Sequence, residues 1–178
     1  MPLTTVDPTP ALVVVDLQAG IAPHAPAEVI ANNVTLVEAF RAQGHPVVLV
    51  NVTAGAPGRT DQRPEGGASQ IPAEAVVLLP ELGRGDIEVS KQSWGAFATT
   101  DLHEQLQARG VTQVFVTGVA TSIGVESTAR EAFGRGYHVV LVHDAMADLD
   151  PVNHEHAVAR VFPRMGQVAA TAEVLEKL

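Results

Sequence analysis

Three short stretches of this chain carry groups that could do chemistry if the fold brings them together. Leu12-Val-Val-Val-Asp16 is an apolar run that ends in a carboxylate, and Lys91 follows a shorter run at 87–90. Thr117-Gly-Val-Ala-Thr-Ser-Ile-Gly124 joins a third apolar run to a segment with helical periodicity. A strand-end carboxyl, an ammonium and a loop that runs into a helix start are polar or backbone-rich elements that could face one ligand crevice at the same edge of a sheet. Taken singly, each is bland. A strand-end aspartate caps local amides, a lysine is usually a solvated charge, and Gly118 and Gly124 serve turns. The combination carries the reading.

The same sequence closes several other routes. It contains no cysteine, which excludes a thiol nucleophile, a disulfide and a thiolate metal site together. None of the seven histidines is paired at a zinc-site spacing on one helix face; His154 and His156 point to different sides of their helix. Neither a G-x-G-x-x-G fingerprint nor a Walker A loop follows any strand, so nucleotide phosphates are not expected in the usual cradle. A net charge of -9, with 11 Lys and Arg residues scattered along the chain, repels phosphate backbones and anionic membranes. The expected partner is a small molecule, with no nucleic acid and no membrane. Met1 to Thr9 carry no basic region and no long apolar stretch, so a cytoplasmic protein without a secretory signal is expected.

The elements that must position these groups follow from the hydrophobic pattern. Runs at 12–15, 46–50, 114–117 and 139–142 are short, rich in valine and hardly alternate, as strands buried on both faces do. A further short strand is expected at 87–90. Between them, residues 27–43 place Ile30, Val34, Val37 and Phe40 on one side of a helix that Gly44 stops. Helices are also expected over 101–109, with Asp101 and Glu104 in capping-box spacing, and over 122–134, with Glu126 and Arg130 as an i,i+4 pair. Asp150-Pro151 opens another helix reaching about residue 161, and 171–177 forms a terminal one. The alternation makes a single domain over residues 1–178: a three-layer α/β/α sandwich with a doubly wound, mostly parallel central sheet. Residues 53–73, dense in Gly and Pro, form the one long irregular connection, a lid or binding loop. In such sheets ligands sit beyond the carboxyl ends of the strands, where Asp16, Lys91 and the 117–124 segment all fall.

Three longer stretches add a resemblance. Leu12-Val-Val-Val-Asp16-Leu-Gln18, Lys91-Gln-Ser-Trp-Gly-Ala-Phe97-Ala-Thr-Thr-Asp101-Leu and Val116-Thr-Gly-Val-Ala-Thr-Ser-Ile-Gly-Val-Glu-Ser-Thr-Ala-Arg-Glu-Ala132 resemble isochorismatase-like hydrolases. Val140-Leu-Val-His-Asp-Ala-Met-Ala-Asp148 and Phe162-Pro-Arg-Met-Gly166 look like that family's last strands. The resemblance spans about residues 10 to 175. It implies catalytic roles for Asp16 and Lys91 and puts Gly124 where cysteine-dependent members carry their nucleophile. True isochorismatases, which hydrolyse a vinyl ether with an aspartate as general acid, resemble this chain in having glycine there.

The resemblance further implies a cis Val119–Ala120 peptide, with amides near Ala120 and Gly124 meeting substrate oxygen, and a homodimer or larger homo-oligomer, which 46% hydrophobic residues would suit. Nicotinamidase-type members bind metal through Asp-x-His after the second strand; here Asn51-Val-Thr-Ala-Gly55 stands in that place, so no metal and no other cofactor is expected. Gln18, Trp94, Phe97, Val119 and Ala120 are candidate substrate contacts. Arg59 and Arg63, in the long loop, could meet an anionic substrate or serve as solvated charges. The leading function is a cofactor-free hydrolase working through Asp16 and Lys91 with water as nucleophile; the alternative is a binding module that lost its catalysis with its cysteine. Burial would raise the pKa of Asp16 and a neighbouring Lys91 would lower it, a contest left open by the residues alone.

Overall fold

The computed structural model describes residues 3–178; Met1 and Pro2, the start of the N-terminal stretch read above, lie outside the described residues. Strands β1 (Pro10–Val15), β2 (Val47–Val52), β3 (Ile87–Lys91), β4 (Gln113–Val119), β5 (His138–Ala147) and β6 (Gln167–Ala169) form one sheet in the order β3-β2-β1-β4-β5-β6. Every pairing is parallel, so the sheet is wholly rather than mostly so. β1 and β4 are the strands between which the direction of winding reverses, and the crevice beyond their carboxyl ends is therefore the place to look for a ligand.

Helices α1 (Ala27–Ala42), α2 (Leu102–Ala108), α3 (Glu126–Gly134), α4 (Pro151–His156) and α5 (Thr171–Lys177) complete the sandwich. All six residues of β1 are buried, and alternate side chains enter different cores. Val13 and Val15 join Leu102 and Leu106 of α2 and Ala129 and Ala132 of α3. Leu12 and Val14 join Leu36, Val37 and Phe40 of α1 and Val174 of α5 on the other face. No helix of the described residues is long and apolar enough to cross a membrane.

Several local expectations are corrected. The buried stripe of α1 is Val29, Asn33, Leu36, Val37 and Phe40, rotated from the one that Ile30 and Val34 suggested. The rotation is possible because Asn33, polar yet fully buried, donates from Nδ2 to the carbonyls of Val29 and of Ala145 in β5. Asp101 makes no cap bond; its carboxylate accepts from Gln105 Nε2 instead, so the spacing with Glu104 is not a capping box. Residues 122–134 are not one uniform helix, for a π-helical turn over Thr121–Val125 leads into α3. Phe162-Pro-Arg-Met-Gly166 is a tight helical turn rather than a strand, and the short β6 begins only after it. The expected pair of Glu126 with Arg130, at 2.8 Å, and the cap from Asp150 to the amide of Val152 are both present.

Candidate active site

Asp16 is the first residue past β1, and it sits in the left-handed region with φ 55°. Its N–H still donates to the Val50 carbonyl at 2.8 Å, while its own carbonyl accepts from Gln18 N at 2.9 Å. The chain thus turns sharply at the sheet edge, a strain that aspartate tolerates better than most residues. Lys91 closes β3 two strands away, and its Nζ reaches Asp16 Oδ2 at 2.7 Å. Both side chains are almost wholly buried, at 2% exposed for Lys91 and 5% for Asp16. The ammonium also donates to the Ser93 carbonyl at 3.1 Å.

This pairing leaves Asp16 Oδ1 buried with no hydrogen-bond partner. An ionised carboxylate oxygen is an acceptor only, so a lone one in the interior calls for a donor from a ligand or water. Burial lifts the Asp16 carboxyl to about 6 against the opposing pull of Lys91, which settles the contest left open above in favour of desolvation. A group poised there exchanges protons readily near neutral pH.

Gly118 and Gly124 flank the strand-to-helix connection for different reasons. Gly118 has φ 110°, and a Cβ on it would collide with the Val15 carbonyl, so only glycine lets β4 pass β1 at this point. Gly124 is free of that constraint; a Cβ there would lie 3.1 Å from Asp16 Oδ2 and 3.2 Å from Val15 Cγ1. The bare backbone at 124 therefore opens a slot directly against the carboxyl group. Thr128 Oγ1 donates to the Gly124 carbonyl at 2.7 Å and anchors the slot to α3.

A cavity of about 290 Å³ opens above the pair. Val119 and Ala120, joined by a cis peptide, line it with Gly124 and Ile123. Its other walls come from Ile21, Val52 and Ala54, from Gly55, Ser69 and Ile71 of the long connection, and from Leu149, with His24 and Ser93 as further polar groups. Trp94 stands at this cavity with 61% of its surface exposed.

Two expected contacts lie elsewhere. Phe97 is buried in the core beside Tyr137, under the Arg135 guanidinium at 5.1 Å from its ring centre, because Glu131 holds its amide on the α3 side of the sheet. Gln18 is fully buried but does not line the cavity; its side chain bonds Val52 N, Val52 O and Ala75 O, and so pins the long connection to the end of β2. Arg59 does not line the cavity, and Arg63 donates to Ser69 Oγ and the Ala56 carbonyl within its own loop.

The residue that sequence reasoning passed over is Asp148, beyond β5. Its Oδ2 accepts from both the N–H and the Oγ of Ser122 at 2.7 Å. Burial pushes its carboxyl up, but the two Ser122 bonds, with the amides of Asp150 and Leu149, outweigh that and hold it below the usual carboxylate range. The N–H groups of Ile123 and Val125 both go to the Ala120 carbonyl. Three amides at this helix start are therefore taken by the protein itself, which narrows the oxyanion-binding role expected of the segment. No local signal marks Asp148, since its partner lies 26 residues earlier. Among the described residues no group of three or more His, Cys, Asp or Glu side chains could hold a metal ion.

A wholly parallel, doubly wound sheet with a buried carboxylate–ammonium pair at its carboxyl edge is an α/β scaffold, and comparison with known proteins says which one. The isochorismatase domain model matches residues 10–173, and the chain belongs to that family. It is 42% identical to the isochorismatase family protein YwoC of Bacillus subtilis over 94% of this chain and 93% of that one. It is 33% identical to the ureidoacrylate amidohydrolase RutB of Methylobacterium radiotolerans, over 90% of this chain and 76% of the relative. The structure of an isochorismatase family protein from Burkholderia thailandensis superposes with a TM-score of 0.90 at 39% identity, covering 99% of this chain and 98% of that one.

Proposed function

We propose that the protein is a hydrolase of a small molecule in which Asp16 moves the proton, Lys91 holds the carboxyl in place and water is the nucleophile. The observation that carries this reading is the orphaned Asp16 Oδ1 of a buried carboxyl that lines an apolar cavity and whose other oxygen faces the slot at Gly124. With Oδ2 fixed by Lys91, Oδ1 is the oxygen free to accept a water proton. For an amide or ester the balance is simple. The carboxylate takes a proton from water, the hydroxide adds to the carbonyl carbon, and the carboxylic acid then returns that proton to the leaving nitrogen or oxygen as its bond to carbon breaks. The absence of cysteine from the chain makes a thioester intermediate impossible. The hydrolase relatives, the ureidoacrylate amidohydrolase and a streptothricin hydrolase from Streptomyces noursei, support hydrolysis as the reaction class.

The test is to incubate the purified protein with a panel of small amides and esters, and with a vinyl ether, while following product release by mass spectrometry. The base role predicts that kcat/KM rises with pH through about 6 and then levels off, as Asp16 loses its proton. A rate that instead falls above that pH, with the vinyl ether as substrate, would make Asp16 the general acid. Saturable binding without turnover of anything would reduce the protein to a binding module.

A further inference from the structure

We infer that the substrate enters this site as an uncharged molecule with an apolar body, and that carboxylate-bearing analogues are rejected. The inference rests on the proposed hydrolytic site and names its substrate class. Burying an anion without a partner costs several kcal/mol, so a site that selects anions must present a cation not already spoken for. Among the described residues Lys91 is the buried cation lining the cavity, and Asp16 neutralises it at 2.7 Å; the imidazole of His24 also lines it but is exposed, where solvent screens any charge it carries. The other common device is a helix N-terminus with open amides. Here Asp148 already occupies it, with its carboxylate on the Ser122 amide and hydroxyl, so a second anion would meet a like charge where it needs a positive field. Arg63, bonded to the cavity-lining Ser69, spends its two terminal nitrogens on Ser69 Oγ and the Ala56 carbonyl.

What remains for recognition is apolar. Ile21, Val52, Ile71, Ile123 and Leu149 form the walls, and the exposed Trp94 offers an indole face. His24, Ser69 and Ser93 add a few polar groups, and Asp16 Oδ1 is the buried acceptor left unpartnered at this cavity. These features suit a compact aromatic or aliphatic amide, or an ester of that kind, whose polar group sits at Asp16 and whose body fills the remaining space. The same layout disfavours a dicarboxylate, because neither of its charges would find a free partner.

Titration calorimetry on the intact wild-type protein at pH 8 tests this with benzamide against 4-carbamoylbenzoate, which differ by one carboxylate. Benzamide is expected to bind at least about tenfold more tightly. Equal or tighter binding of the carboxylate would overturn the inference, and its loss in Arg63→Gln would then identify the cation that had been misjudged. Asp16→Asn supplies an opposite arm. It leaves Lys91 as a buried, unpaired ammonium, so the preference should invert towards 4-carbamoylbenzoate. No inversion in a folded variant would show that the ion pair does not set the charge preference. Because binding is read without turnover, a protein that prefers benzamide yet hydrolyses nothing would fail the proposed function while leaving the ligand class standing.

Discussion

The two ends of the sheet hold hollows of opposite character. At the amino ends of β1, β2 and β3, a groove of about 830 Å³ is lined by Arg41, His45, Asp86 and Arg109. It is far larger than the 290 Å³ cavity over Asp16 and Lys91 at the carboxyl ends. Yet its charged groups are engaged with nearby backbone. Arg41 donates to the carbonyls of Leu82 and Arg84, Asp86 accepts from Val47 N, and Arg109 donates to the carbonyl of Gln105. At the carboxyl ends the groups are buried, one oxygen is left over, and the pKa of Asp16 is pushed to about 6. Size marks where water can collect. Unmet bonding capacity in a dry place marks where chemistry can occur.

The strongest way to break that contrast is to remove one carboxylate from each end. Asp16→Asn should lower kcat/KM by about 10³-fold, within the usual range for loss of a general acid–base group. Asp86→Asn should leave the rate within about twofold and cost roughly 1 kcal/mol of stability for the weakened bond to Val47 N. Comparable rate losses from the two variants would show that the amino-end groove takes part in catalysis.

The next largest effect is on folding. Lys91→Met strands a buried carboxylate, and breaking such a pair costs about 3–5 kcal/mol. Arg109→Met, on the solvated groove, should stay within about 0.5 kcal/mol. Urea denaturation of both variants measures the difference. Near-equal midpoints would mean that the carboxyl-end pair is far more solvated than its 2% and 5% exposures imply.

How far the sequence reveals these two ends depends on the kind of contact involved. The strands announce themselves through unbroken valine runs, and the rule that ligands sit beyond their carboxyl ends brings Asp16 and Lys91 together across intervening chain. The short β6, of three residues, has no such run to give it away. The face of α1 was misplaced because Asn33 takes a core position, and its partner, the Ala145 carbonyl, belongs to another strand. The same holds for the site walls. Ile71 and Leu149 reach the cavity from irregular connections, and Phe97 turns away from it because of Glu131 in α3. Periodicity reports which face of an element is apolar. It carries no information about where a loop closes or which distant carboxylate will hold an amide.

The pH dependence of stability sharpens the comparison further. The folded pKa of Asp16 lies above its ordinary 3.8, so between that value and about 6 the native state binds the proton more tightly than the unfolded chain. This contribution to stability is fully present below 3.8 and is lost as pH rises through about 6, with a total of roughly 3 kcal/mol. Asp16→Asn cannot titrate, so the stability difference between variant and wild type should shift by that amount, in favour of the variant, from pH 3.5 to 7. Guanidinium melts of both proteins across this range read it directly. A difference that stays flat would mean that the carboxyl is not desolvated.

The smallest expected change is at Gly124, and it separates the reaction from the scaffold. A Cβ at this position meets no forbidden backbone angle, but it lies 3.1 Å from Asp16 Oδ2 and 3.2 Å from Val15 Cγ1, so these neighbours must yield by a few tenths of an ångström. Helix propensity favours alanine over glycine by about 1 kcal/mol, which offsets much of that crowding. Gly124→Ala should therefore unfold within about 1 kcal/mol of wild type, a margin that single substitutions often exceed. The methyl group nevertheless fills the slot against Asp16 Oδ2 and crowds the carboxyl that we propose activates the water. Turnover should fall with kcat reduced and KM little changed, because the apolar walls that hold the substrate body are untouched. If the variant keeps full kcat, water reaches the carbonyl from another side and the glycine is a packing residue. If KM rises instead while kcat holds, the slot belongs to the substrate rather than to the nucleophile. Gly118→Ala provides the contrast, since its Cβ would collide with the Val15 carbonyl at φ 110° and should prevent folding altogether.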